Sequence, residues 1–264
     1  MPRRPLVVGN WKMELSYKAT LETVTALKKL LKNIKVELDV VICPSFPMLA
    51  EVQVALGQSE KVALGAQNVH WEEKGAWTGE VSVTQIEPIV SWCIVGHSER
   101  RELTGETDQQ VQAKANLLVQ HGVTPIICIG ETLAEYEADQ TVSKITQQIE
   151  GLLASVTRMA LTKLVIAYEP IWAISTNNPP AVPDPTNISQ LILLIRKLVA
   201  ERFDADAAER LRILYGGSVK PGNIQSFMAE PGIDGALIGS ASTHPLDFVE
   251  IMKIVQQAHH ERGN

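Results

Sequence analysis

A glutamate followed at once by a proline, at the end of a short β-branched run, is where chemistry first becomes legible in this chain: Val165-Ile166-Ala167-Tyr168-Glu169-Pro170. Such a run reads as a buried strand. Proline has no N–H to continue a ladder and drives its predecessor into an extended conformation, so the strand stops with Glu169 at its tip. The residues beyond it, Ile171-Trp172-Ala173-Ile174, are apolar. A carboxylate beside such surface is either a salt-bridged strand end or a base whose proton affinity is in use. This segment alone leaves the two even.

Three other places carry groups that complement a base. Gly9-Asn10-Trp11-Lys12-Met13 offers an amide and an ammonium; lysine is a compact point charge suited to a phosphate or a developing oxyanion. Taken alone, a solvated loop explains that pair better. Val95-Gly96-His97-Ser98-Glu99-Arg100-Arg101 puts a histidine where a strand ends and a helical turn can begin. The positive end of a helix favours the neutral imidazole, which donates a hydrogen bond to a substrate oxygen without carrying charge. A satisfied core histidine is the plainer reading, but this surrounding string favours function, with Ser98, Glu99, Arg100 and Arg101 expected to form a buried charge network. Finally, Tyr215-Gly216-Gly217-Ser218-Val219 and Gly235 to Ser242 end in small residues. Small side chains let an oxyanion reach backbone N–H groups at a helix start. Either could be a tight turn; the pair together favours phosphate.

The elements that must position these groups follow from periodicity. Apolar strand-like runs occur near Leu6–Gly9, Leu38–Cys43, Val62–Ala66, Trp92–Val95, Thr124–Ile129, Leu164–Glu169, Leu211–Tyr215 and Ala236–Gly239. Helical stripes lie between them: Leu21, Val24, Leu27, Leu30 and Leu31; Val111, Ala115, Leu118 and Val119; Leu191, Leu194, Ile195 and Leu198; Phe248, Ile251, Met252 and Val255. All four read as core packing. Strand alternating with helix about every 30 residues predicts parallel strands joined by right-handed crossovers. The fold class is therefore α/β: a single (βα)8 barrel of eight parallel strands, with residues 1–264 as one domain and the active site at the C-terminal strand ends. The polar residues obey that placement. Asn10 and Lys12 follow the first strand, Gln67 and Asn68 the third, His97 the fourth, Glu131 the fifth, and Glu169 the sixth. Gly216-Gly217-Ser218 follow the seventh strand and Gly239-Ser240 the eighth.

A net charge of −6 argues against nucleic-acid binding, and no Lys/Arg block is long enough for a membrane-surface patch. An anionic ligand must then be held by local groups rather than by the overall field. The apolar run Leu191–Ile195 breaks at Arg196, far short of a membrane span. Cys43, Cys93 and Cys128 are odd in number and widely spaced, which predicts reduced thiols and a cytoplasmic location; Cys128 is the best candidate for a reactive one. The basic start Met1-Pro2-Arg3-Arg4-Pro5 runs into the first strand without an export-type apolar core.

The strings GNWKM, GAQNVHWEEKGAWTGEVS, IVGHSERR, TPIICIGETL, AYEPIWAIST and YGGSV, in this order and spread over nearly the whole chain, resemble the triosephosphate isomerase family. That resemblance implies a TIM barrel interconverting dihydroxyacetone phosphate and D-glyceraldehyde 3-phosphate in glycolysis and gluconeogenesis. It makes Glu169 the base, His97 the neutral electrophile and proton shuttle, and Lys12 the positive charge beside the substrate. Asn10 orients the substrate oxygens, and Glu99 is the carboxylate beside the lysine. The backbones of Ser175, Ser218, Gly239 and Ser240 take the phosphate-binding positions. Pro170, Ile171, Trp172, Ala173, Ile174, Ser175, Thr176, Asn177, Asn178, Pro179 and Pro180 form a lid, and Thr78, in the loop Asn68–Glu80, reaches a second subunit of a homodimer. Isomerisation through an enediolate needs a base, an acid and a positive field, and no cofactor or metal. It also needs water excluded, the task of the lid.

The chain departs from the resemblance in two places, the first of them the lid. Ser175 and Asn177 stand where the family usually has glycine, and Asn178-Pro179-Pro180 where it has its hinge; Val182-Pro183-Asp184-Pro185 suggests a few extra residues. A positive φ at Ser175 costs on the order of 1–2 kcal/mol. A hydrogen bond that Pro180 cannot donate to the tyrosine of the YGGS turn costs about 0.5–1.5 kcal/mol. Two prolines also restrict the open lid, which opposes that loss. An active isomerase with an atypical lid is the expectation, slower or leakier, a few kcal/mol of weakened closure corresponding to about one to two decades of rate. Ser240 stands where many relatives have glycine and should have little effect. The rival readings are a non-catalytic phosphate-binding barrel that has lost productive lid closure, and an isomerase of longer phosphosugars.

Overall fold

All eight apolar runs are strands in the computed structural model, which describes residues 3–57, 59, 61–174 and 182–263. They are β1 (Leu6–Asn10), β2 (Asp39–Cys43), β3 (Ala63–Ala66), β4 (Trp92–Val95), β5 (Thr124–Ile129), β6 (Val165–Tyr168), β7 (Arg212–Tyr215) and β8 (Gly235–Ile238). Each pairs in parallel with the next, and β8 pairs with β1 to close the barrel. β6 ends one residue before Glu169, whose N–H still bonds the Ile129 carbonyl at 2.8 Å.

Successive strand residues face opposite sides, and here both sides are covered. Leu6, Val8, Val41, Ile94, Ile126, Val165, Ala167, Leu214 and Leu237 fill the barrel interior. Val7, Ile42, Val95, Ile127, Ile166, Ile213 and Ile238 pack outward in the larger core that the helices share. Burial on two faces is why these strands read as continuous apolar runs without alternation.

The helices are α1 (Tyr17–Leu31), α2 (Leu49–Leu56), α3 (Val83–Ile86), α4 (Ser98–Thr104), α5 (Asp108–Gln120), α6 (Leu133–Glu137), α7 (Thr141–Ser155), α8 (Arg158–Leu161), α9 (Pro185–Arg202), α10 (Ala205–Arg210), α11 (Pro221–Ala229) and α12 (Pro245–Gly263). Local chemistry sets their starts. Ser16 caps α1, Thr107 and Gln110 make a capping box on α5, and Asp184 caps α9 with Pro185 at its first position. The stripe expected on α9 is rotated. Its buried face is Ile188, Ile192, Ile195 and Val199, while Leu191, Leu194 and Leu198 lie half-buried at its flank. Val119 is likewise a flanking residue of α5.

Candidate active site

The strand-end residues meet at the C-terminal mouth. Glu169 is buried, and so is the ring of His97; Glu169 Oε1 lies 3.4 Å from His97 Nε2. Glycine makes room for this carboxylate: a Cβ on Gly216 would stand 2.6 Å from Glu169 Cγ, and one on Gly130 would stand 1.8 Å from the Glu169 carbonyl oxygen. The Ser98 N–H points at Glu169 Oε2 from 3.4 Å, and burial together with that carboxylate holds the neighbouring Cys128 thiol protonated. Cys43 and Cys93 are raised by burial as well. None of the three is poised as a nucleophile.

His97 caps α4, and its Nδ1 accepts the Glu99 N–H at 3.3 Å. An amide only donates, so Nδ1 is the unprotonated nitrogen and Nε2 carries the proton. A neutral imidazole is the expectation from the helix start, and this geometry puts its proton on Nε2. The expected charge network is distributed differently. Glu99 bonds Lys12 Nζ at 2.5 Å, with its other oxygen 3.7 Å from His97 Nδ1. Arg101 instead ties Gly96 and Cys128 carbonyls to Asp108, and Arg100 turns to Glu106. Ser98 Oγ is buried with no hydrogen-bond partner.

Lys12 has φ of 49°, a left-handed conformation that costs a lysine about 1–3 kcal/mol. Its neighbours impose it: the Lys12 N–H donates to Asn10 Oδ1 at 3.1 Å, and Gln67 Nε2 donates to the Lys12 and Cys43 carbonyls, both at 2.8 Å. The result aims the ammonium at the last strand, where a Cβ placed on Gly239 would lie 3.9 Å from Nζ. Ser240 opens a 3-10 turn beside it and is exposed. Ser218 is also at the mouth, but its N–H donates to the Ala173 carbonyl at 3.1 Å. Pro170 to Ile174 is thus not a free loop. Ile171–Ala173 form a 3-10 turn, and the Trp172 indole N–H donates to Glu131 at 2.8 Å. Ser175, Thr176, Asn177, Asn178, Pro179 and Pro180 lie outside the described residues.

Two polar groups had drawn no role from sequence. Glu131 is fully buried at the end of β5, bonded by the Tyr168 hydroxyl and Trp172, and burial raises its pKa. Its position after a strand was the available signal; its partners are distant in sequence. Lys114 is buried against Glu106 and Asn68 Oδ1, the latter at 2.8 Å, and so fixes the base of the loop carrying the exposed Thr78. A lysine within an amphipathic helix gives no sign of that. Among the described residues no group of three or more His, Cys, Asp or Glu is arranged to hold a metal, and no helix is long and apolar enough to cross a membrane.

Comparison with known proteins bears directly on this cluster. The triosephosphate isomerase family pattern matches residues 5–255. The chain is 44% identical over 251 residues to a triosephosphate isomerase of Caldanaerobacter subterraneus subsp. tengcongensis, covering 95% of this chain and 99% of that protein. Its counterparts in Alkaliphilus oremlandii and Clostridium perfringens are 42% and 44% identical, with the same coverage of each chain.

Proposed function

The chain belongs to the triosephosphate isomerase family, and from that premise we propose the assignment of its chemistry to Glu169, His97, Lys12, Asn10 and Glu99. The reaction is the interconversion of dihydroxyacetone phosphate and D-glyceraldehyde 3-phosphate, an intramolecular aldose–ketose isomerisation of glycolysis and gluconeogenesis. Glu169 removes a proton from the carbon beside the substrate carbonyl and returns it to the adjacent carbon. His97, neutral with its proton on Nε2, donates to the carbonyl oxygen and moves a proton between the two oxygens. Positioned acid–base groups of this kind contribute about 10²–10⁴-fold each. Lys12 supplies fixed positive charge to the enediolate and the phosphate, held on station by Glu99 and by the backbone that Asn10 and Gln67 bind. A field aimed in advance at developing charge is the efficient form of that help.

The observation carrying this reading is the buried pair itself: a carboxylate 3.4 Å from the protonated nitrogen of a histidine whose other nitrogen is committed to a backbone amide. A ligand between them meets a base on one side and a hydrogen-bond donor on the other. Phosphate binding falls to the backbone N–H groups of Gly239 and Ser240, with that of Ser218 joining once the Ala173 carbonyl leaves it, and with that of Ser175 from the lid. The lid spans residues 170–180, with an atypical tip. We further assign a homodimer in which Thr78 reaches the second subunit's site, and a cytoplasmic location. Coupled turnover of glyceraldehyde 3-phosphate by the purified chain is expected, and activity no greater than that of Glu169→Gln refutes the assignment. Tight 2-phosphoglycolate binding without turnover would instead mark a non-catalytic barrel, and gel filtration decides the dimer.

A further inference from the structure

The segment after Glu169 occupies groups that the proposed reaction needs. His97 Nε2 faces Glu169 Oε1, and the Ser218 N–H is taken by the Ala173 carbonyl. A substrate oxygen must replace the first contact and a phosphate oxygen the second. Both contacts involve one strap, Glu169 to Ile174, whose centre is a single 3-10 turn closed by Ala173 N–H to the Pro170 carbonyl at 2.8 Å. When that turn moves, Trp172 must move with it.

Besides the Ile171 N–H bond to the Glu131 carbonyl at 3.1 Å, two contacts of the Trp172 side chain resist the move. The Trp172 indole N–H donates to buried Glu131 at 2.8 Å, and its ring stacks on Tyr136, centroids 4.2 Å apart and planes at 27°. Tyr136 belongs to α6, which is fixed independently of the strap. Thr132 and Glu135 make a capping box at its start, and Lys144 of α7 bonds Glu135 at 3.1 Å. Tyr136 remains 45% exposed, so core packing does not explain an aromatic ring at this position. Trp172 and Ile171 border a cavity of about 1170 Å³, which leaves the strap room to shift.

We propose that Tyr136 is a positioning residue for the isomerase reaction: it is the surface on which Trp172 rests, and it sets how firmly the strap keeps its substrate-free arrangement. The inference rests on the site assignment above. Ligand binding draws on the population that has left this rest position, so weakening the rest position tightens apparent affinity. Losing an aromatic stack of ordinary strength corresponds to about a two- to tenfold change.

The test uses the full chain labelled with 5-fluorotryptophan, with the Trp172 resonance assigned by Trp172→Phe, and titration with 2-phosphoglycolate. Tyr136→Ala is expected to shift that resonance and to tighten binding by about two- to tenfold, while Tyr136→Phe, which keeps the ring, behaves as the parent. Parent-like binding by Tyr136→Ala overturns the inference alone, as does an equal change in both variants or an unmoved Trp172 resonance. Failure of the parent chain to bind 2-phosphoglycolate refutes the site assignment, and the inference falls with it.

Discussion

The floor and the mouth of the barrel hold their buried charges by opposite rules. At the floor, Asp234 accepts from Arg3 and Arg196 at 2.7 Å each and from the Ile213 N–H at 2.8 Å. Arg196 donates also to the carbonyls of Ala208, Leu211 and Gly232. At the mouth, Glu169 is as deeply buried but is met by Ser98 N–H and His97 Nε2 only at 3.4 Å. Nearby, the Ser98 and Tyr215 hydroxyls are buried without partners, and Lys12 sits at positive φ. A buried charge held by several short bonds braces the fold and is costly to disturb, even though Arg196 Nε is buried without a partner. One held by long bonds exchanges those partners for a ligand cheaply. Barrel enzymes divide stability and catalysis between their two ends in this sense.

Substitutions at the two ends should therefore fail in opposite ways. Glu169→Gln is expected to lower kcat/KM by about 10²–10⁴-fold while leaving the urea midpoint unchanged or raised, since it removes a poorly satisfied charge. A large loss of stability in that variant would erase the contrast. Asp234→Ala, measured by the same urea melts, should lose about 3–5 kcal/mol by leaving buried Arg196 without its counter-ion, while Arg3 keeps Glu209, yet keep the kcat/KM of the folded fraction. Gly216→Ala sharpens the comparison at the mouth. Its Cβ would stand only 2.6 Å from Glu169 Cγ, and relieving that overlap by moving the base about 1 Å costs about 10²-fold in rate with little change in unfolding.

The smallest effect concerns a third arrangement, on the barrel's flank. His121 faces Glu87 at 2.5 Å and Glu73 at 3.1 Å with its two nitrogens, and these carboxylates raise its pKa above 6.5. Only the imidazolium donates to both. Because the folded pKa is the higher one, this stabilisation is complete below the unfolded value and is lost as pH rises through the folded value. Thermal midpoints should accordingly carry a downward component from about pH 6 upward that His121→Gln lacks; identical pH profiles for the two proteins would contradict it.

What the sequence disclosed follows the same physics. Strands covered on both faces announce themselves as apolar runs, and a barrel sends polar strand ends to one mouth, so Asn10, Lys12, His97 and Glu169 could be grouped before any coordinates. The face of α9 could not be chosen, because Ile188, Leu191, Ile192, Leu193, Leu194, Ile195, Leu198 and Val199 surround much of that helix. Pairings across the fold were equally silent. Only the resemblance set Glu99 beside Lys12, 87 positions away; periodicity gave no sign of it, nor of the Lys114–Glu106–Asn68 and Glu131–Trp172–Tyr136 groups, which join residues on separate elements. Periodicity locates faces; it does not say which distant side chain completes them.

Solvent labelling during turnover reaches the central claim most directly. Glyceraldehyde 3-phosphate converted by this chain in D₂O should give dihydroxyacetone phosphate carrying deuterium at C1 in at least part of the product, at a rate that collapses in Glu169→Gln. Product free of solvent deuterium, or labelling that proceeds undiminished without the Glu169 carboxylate, would contradict proton transfer by this base.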